Sequence, residues 1–264
     1  MYFQRAQFEE PNLAQFPCIS NPEPHGVSSR YRMVSSGEVV NYLGERGYKV
    51  AVIQSGRPGS LSAASGRHLV RLRKHQEKLT VDDCFPEVIL DNSYDGGSGL
   101  SLTVGLHRVA CSNGLIMGGG YGGFFHKLPH VGSIREEVFG LLDDLEQKVV
   151  EIPKVVSVWG HRKLSDREAS DLAIKALDMR FPTKVGSWGE SDVERVLRHH
   201  RPADAGESLW AVFNRLQENC TKAGRFELPA RTKKGRRRCP ELRAVSRVSG
   251  FNRGLWEAAA ALVS

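Results

Sequence analysis

Nine lysines and arginines fall between residues 225 and 247: Arg225, Arg231, Lys233, Lys234, Arg236, Arg237, Arg238, Arg243 and Arg247. Glu227 and Glu241 are the only acids among them, so the local excess is +7, equal to the formal charge of the whole chain. Elsewhere bases and acids balance. Such a run offers phosphate recognition: arginine forks onto two phosphate oxygens, and lysine adds a mobile point charge. One concentrated basic element on a neutral body predicts a contact surface for a polyanion. Nucleic acid, and DNA first, is the expected partner, with an acidic protein surface as the competing occupant.

A second basic set is Arg67, Arg71 and Arg73. They alternate along an expected strand, so all three are predicted on one sheet face, where they would add to the backbone-binding surface or simply meet solvent.

Other chemistry is less well supported. Glu87, Asp91 and Asp95 could hold Mg²⁺ as in a nuclease, although Asp91-Asn-Ser-Tyr-Asp95-Gly-Gly reads more simply as a turn whose side chains bond their own backbone. The run Gly118–Gly123 lacks the Gly-Lys-Ser/Thr of a phosphate loop. His126 and His130 have ligand-like spacing, but Pro129 keeps them off a common helix face. No catalytic residue, cofactor or metal site is therefore predicted. The five cysteines are widely spaced without a CxxC pair, which predicts reduced thiols. No apolar stretch approaches the roughly 18 residues of a membrane span, and the first residues lack a signal-peptide core, so a cytoplasmic location is expected.

These groups need elements to position them. Residues 1–30 are broken by Pro11, Pro17, Pro22 and Pro24 and are expected to form an irregular arm. Residues 31–264 are expected to form a single α+β domain. Ser35-Ser-Gly-Glu38 opens a short helix that ends near Gly44 or Gly47. Strands are predicted at 48–54, 68–73, 87–92 and 100–108, with further ones at 115–117 and 121–126. Short connectors favour an antiparallel β-meander over parallel crossovers. From residue 131 the apolar period becomes helical. Ser133-Ile-Arg-Glu136 and Ser165-Asp-Arg-Glu168 read as capping boxes, and Pro153–Trp159 as an extended linker or edge strand between two helices. Further helices are expected near Ser191, from Asp204 to before Gly224, and around 253–262. The basic stretch 225–247 lies between the last two as a loop or hairpin, since Gly235 and Pro240 disfavour helix. A sheet followed by helices is an α+β fold.

Several motifs in order carry a resemblance: Glu87-Val-Ile-Leu-Asp-Asn-Ser-Tyr-Asp-Gly96, His107-Arg-Val-Ala-Cys-Ser-Asn-Gly-Leu115, Leu209-Trp-Ala-Val-Phe-Asn-Arg-Leu-Gln-Glu-Asn219, the Lys/Arg-Gly-Arg run and Leu255-Trp256. Over roughly residues 30–260 the chain resembles the domain-of-unknown-function 932 family, also labelled phage/plasmid-like proteins. The resemblance implies a mobile-element context but no reaction. It directs attention to Asn92, Asp95, Arg108, Ser112, Asn113, Asn214, Gln217 and Glu218 as structural motif residues. Among these, Asn214 and Gln217-Glu218 are expected to anchor their helix to the basic loop.

The leading expectation is a phage- or plasmid-type DNA-binding protein, with recombination or single-strand annealing as the refinement. Alternatives are a protein-interaction factor that inhibits a host defence complex, and a Mg-dependent nuclease.

Overall fold

The computed structural model describes residues 10–57, 59–74, 84–108, 113–116, 125–228, 237–242 and 245–263. After the short helix α1 (Pro17–Ser20), α2 (Ser36–Glu45) opens on Ser35, whose Oγ accepts from the Gly37 N–H. The chain reverses at Gly47, whose φ of +87° suits glycine, and enters β1 (Tyr48–Gln54). One helical turn, α3 (Leu61–Ala64), precedes β2 (His68–Lys74), β3 (Cys84–Asn92), β4 (Leu100–Arg108), β5 (Asn113–Ile116) and β6 (Phe125–Leu128). Then come α4 (Ile134–His161), α5 (Asp166–Arg180), α6 (Glu190–Leu197), α7 (Leu209–Thr221), the strand pair β7 (Glu227–Leu228) and β8 (Arg237–Arg238), and α8 (Val245–Ala260).

The fold is α+β. An antiparallel sheet in the order β1-β2-β3-β4-β5, with β6 also paired to β4, fills the N-terminal half. Helices dominate the C-terminal half. β7 and β8 form a separate two-stranded antiparallel sheet.

The described residues fall into two compact units. The first draws on Met1–Lys78, Phe85–Leu106 and Phe124–Val150 and is centred on the sheet. Its core includes Val39 and Leu43 of α2, Leu69, Val70 and Leu72 of β2, and Val88 and Leu90 of β3. The second draws on Leu79–Cys84, His107–Gly123 and Glu151–Ser264. There α5, α6, α7 and α8 pack on one another. Trp159 stacks on Trp256 at 4.1 Å between ring centres, with Phe213 edge-on to both. Aromatic pairs in these geometries add to the burial of large apolar surfaces.

Three expectations are corrected. Pro153–Trp159 is helical, being the continuation of α4. Val138, Leu142, Leu145, Val149, Ile152, Val156 and Trp159 are all buried, an unbroken three- and four-residue spacing. A proline inside a helix costs about 3 kcal/mol. Burying Ile152, Val156 and Trp159 returns about 1.5–3 kcal/mol for each, so the helix continues through it. The helix expected from Asp204 starts at Leu209 instead, because Ser208 caps it by accepting from the Ala211 N–H at 3.2 Å. The last helix begins at Val245, earlier than expected, so Arg247 sits on α8 and not in a loop.

Candidate nucleic-acid interface

The basic segment opens where α7 ends. Gly224, at φ +71°, lets the chain turn back. Gly224 N–H then donates to Cys239 O at 2.9 Å, and Cys239 N–H donates to Phe226 O at 2.7 Å. Within this frame β7 pairs with β8, Glu227 opposite Arg238 and Leu228 opposite Arg237. The described residues of the basic stretch thus include a two-stranded ribbon. Arg225 and Arg238 are exposed on it, and Arg247 is exposed on the first turn of α8. Arg231, Lys233, Lys234, Arg236 and Arg243 lie outside the described residues.

The ribbon is tied down by buried polar groups. Glu218 accepts from Arg225 Nε at 3.1 Å and takes a two-pronged contact from Arg201 at 2.6 and 2.9 Å. Arg180, at the end of α5, donates to Cys220 O and to Pro240 O, clamping both flanks of the ribbon. The expectation that Glu218 anchors the basic segment therefore has a direct contact behind it. Gln217 instead donates to Asn252 of α8 at 3.2 Å, and Asn214 bonds the Trp210 carbonyl within its own helix.

The second basic set lies in the sheet-centred unit, where Arg67 is exposed but Arg71 and Arg73 are buried. Arg71 and Arg73 are only 8% and 5% exposed, and both grip Glu87, which is fully buried, at 2.6 and 2.5 Å. The register explains this, because Arg73 lies directly opposite Glu87 and Arg71 opposite Ile89. Arg67 forks onto Asp91 at 2.9 and 2.5 Å, which holds its proton more firmly. The three arginines do share one side of the sheet, and two carboxylates from β3 pair with them. Burial of both faces of β2, where one polar face was expected, follows from this pairing. The same contacts occupy the carboxylates of the nuclease alternative. Glu87 and Asp91, four residues apart on one strand, are separated by roughly 13 Å. Asp95 accepts from the Gly97 N–H and closes the β3–β4 turn. Among the described residues no group of three or more His, Cys, Asp or Glu side chains is arranged to hold a metal ion.

The motif residue Asn92 proves to be the hub of a buried polar network. Its Nδ2 donates to Val34 O and to Ser36 Oγ, both at 3.0 Å, and its Oδ1 accepts from the Ser93 N–H. Ser36 Oγ lies 2.7 Å from His68 Nε2, and His68 Nδ1 meets Gly66 O. A carbonyl can only accept, so His68 carries its proton on Nδ1 and receives the Ser36 hydroxyl at Nε2. Burial lowers the pKa of His68, in keeping with that neutral ring. His130 contacts Asn92 Oδ1 at 2.9 Å and Arg32 O at 3.1 Å and stacks on Tyr31. Burial lowers its pKa as well, with the Arg32 carbonyl opposing. Both contacts are to acceptors, so a neutral His130 satisfies only one of them. Ser36 and His68 resemble a hydroxyl–base pair, but Ser36 is buried and the Gly66 carbonyl occupies the other imidazole nitrogen, so the network ties α2 to the sheet.

The sequence reading missed Ser36, His68, His130 and Tyr94, whose hydroxyl accepts from the Ser36 N–H at 2.7 Å, as network members. The signal was a set of polar residues within apolar runs, each needing a partner. Arg108 ends β4 and Asn113 opens β5, while Ser112 lies outside the described residues. Cys18, Cys84, Cys220 and Cys239 are buried thiols, and burial pushes the Cys18 thiol up to about 11. No described helix is long and apolar enough to cross a membrane.

No solved structure matches the chain significantly. Two proteins of Escherichia coli K12 are similar along nearly all of it. UPF0380 protein YafZ is 30% identical over 262 residues, covering 94% of this chain and 88% of the relative. UPF0380 protein YfjQ is 31% identical over 260 residues with the same coverage of each. A family model described as a domain of unknown function, DUF932, matches residues 24–246, from before α2 to the start of α8. The ribbon, the Glu218 anchor and the Asn92 network all lie inside that match, and the chain belongs to the DUF932 family.

Proposed function

We propose that this protein binds nucleic acid and holds its phosphate backbone through the basic ribbon that starts at Arg225. The observation that carries this reading is the concentration of charge. One ribbon and its flanks account for the whole +7, while the rest of the chain is neutral. Anchoring by Glu218 and Arg180 supports it, since a rigid root lets a cationic element engage a polyanion without first being ordered. Backbone gripping of this kind carries no base readout, so affinity should depend weakly on sequence and strongly on salt.

The test is fluorescence-polarisation binding to labelled single- and double-stranded DNA across a salt series. Replacing Arg236, Arg237 and Arg238 together by alanine should flatten the slope of log K against log salt by about 2–3, at roughly 0.7–0.9 for each phosphate no longer neutralised. An unchanged slope would remove the ribbon from the interface. Preference for single strands would direct the next assay to strand annealing. Absence of binding to either form at low salt would overturn the reading and leave an acidic protein surface as the ribbon's partner.

A further inference from the structure

The turn that leaves α6 reads Arg198-His199-His200-Arg201, and its first three residues are exposed. Two neighbouring buried residues of α7 hold it in place. Asn219 Nδ2 donates to Val196 O at 2.7 Å and to Arg198 O at 2.8 Å, satisfying carbonyls that the end of α6 leaves open. Three residues further on, Arg201 turns inward to its two-pronged contact with Glu218. The stretch between these anchors projects Arg198, His199 and His200 outward. Glu218 is also the carboxylate that receives Arg225, the first residue of the basic ribbon. The two cationic segments are far apart in sequence, yet they share a root on the two oxygens of one buried side chain.

We infer that the Arg198–His200 turn is a second arm of the same polyanion-binding surface as the ribbon, with Glu218 as the positioning residue that sets the two arms side by side. This rests on the nucleic-acid reading above. The charge balance at the root favours it. Glu218 and Asp204 are taken up by Arg201 and Arg225, with Arg201 lying 3.6 Å from Asp204. Arg198 and the half-exposed Lys222 have no acidic partner among the described residues. Arg238, opposite Glu227 on the ribbon, runs its stem beside Gly224. Arginine forks and imidazole N–H groups are both phosphate donors, so the turn supplies contacts of the kind the ribbon supplies. The ligand class is a nucleic-acid backbone long enough to cross both arms, and a single isolated phosphate would engage only one.

The experiment compares four full-length proteins on one labelled oligonucleotide: wild type, Arg198→Ala, the ribbon triple Arg236→Ala/Arg237→Ala/Arg238→Ala, and their combination. Circular dichroism melts serve as the fold control. Arg198→Ala should lower the log K against log salt slope by about 0.7–0.9 and weaken binding about five- to eightfold at 0.1 M salt, with the loss adding to that of the triple. Wild-type affinity and slope in Arg198→Ala, alongside weakened binding in the ribbon triple, would overturn the second arm and leave the proposed function standing. No binding by the wild type would overturn both. Glu218→Gln separates positioning from charge. It makes the protein more positive, so charge alone predicts tighter binding, whereas loss of the shared root predicts weaker binding. Tighter binding by a folded Glu218→Gln variant would overturn the positioning role. If that variant fails to fold, the Arg198→Ala comparison still decides.

Discussion

Glu87 places a carboxylate in the interior of the sheet-centred unit with two arginines on it. Removing one partner of a buried pair leaves the other charged group unpaired, which costs about 3–5 kcal/mol. Glu87→Ala should therefore lower unfolding stability by about that amount and show in urea denaturation as a lower midpoint. A loss below about 1 kcal/mol would mean that solvent reaches the arginines. His68 makes a different prediction. In the unfolded chain its ring titrates near 6.5, and in the fold burial lowers that value. Above 6.5 both states are neutral and the stability contribution is complete. As pH falls below 6.5 the unfolded chain takes up a proton that the folded ring resists, so stability declines until the lowered folded value is passed. His130 is shifted in the same direction by burial. Denaturation midpoints should drop between pH 7.5 and 5.5, and His68→Gln should remove part of that slope. A flat profile would show that the His68 ring is not held neutral.

Among the helices, α5 has the most complete local signal. Ser165 Oγ accepts from the Glu168 N–H at 3.3 Å, and Glu168 accepts from the Ser165 N–H at 2.8 Å, the reciprocal pair read from Ser-Asp-Arg-Glu. These bonds and Arg162 hold the Glu168 carboxyl down to about 2. Ser165→Ala should cost about 1 kcal/mol, the usual loss of a serine cap, and Ser165→Asp should restore most of it in thermal melts. An unaffected melting temperature in the alanine variant would mean that tertiary packing alone sets the start of α5. By contrast, α4 could not be read as one helix, because a residue-level rule about Pro153 conflicts with the periodicity around it. Ile152, Val156 and Trp159 continue the spacing of Val138, Leu142, Leu145 and Val149, and that pattern was the better guide.

For the whole molecule, the order of the sheet and helices, most strand positions and the location of the excess charge were legible because each depends on local period or composition. Tyr48–Gln54 and Leu100–Arg108 match β1 and β4 end to end, each opening directly after a glycine, Gly47 and Gly99. The fate of Arg67, Arg71 and Arg73 was not legible. Alternation placed them on one side of a strand, but only the β2–β3 register brought Glu87 and Asp91 against them, burying Arg71 and Arg73 and pairing the exposed Arg67. The Arg198–His200 turn was hidden for the same reason, since its link to the ribbon runs through Glu218 and Asn219, about twenty residues away along the chain. Local period, motif order and composition sufficed for the α+β class, the family resemblance and the amount of charge available for a polyanion. Which cations can meet one is set by the folded chain, because pairing between charges depends on separations of a few ångströms that neither composition nor periodicity encodes.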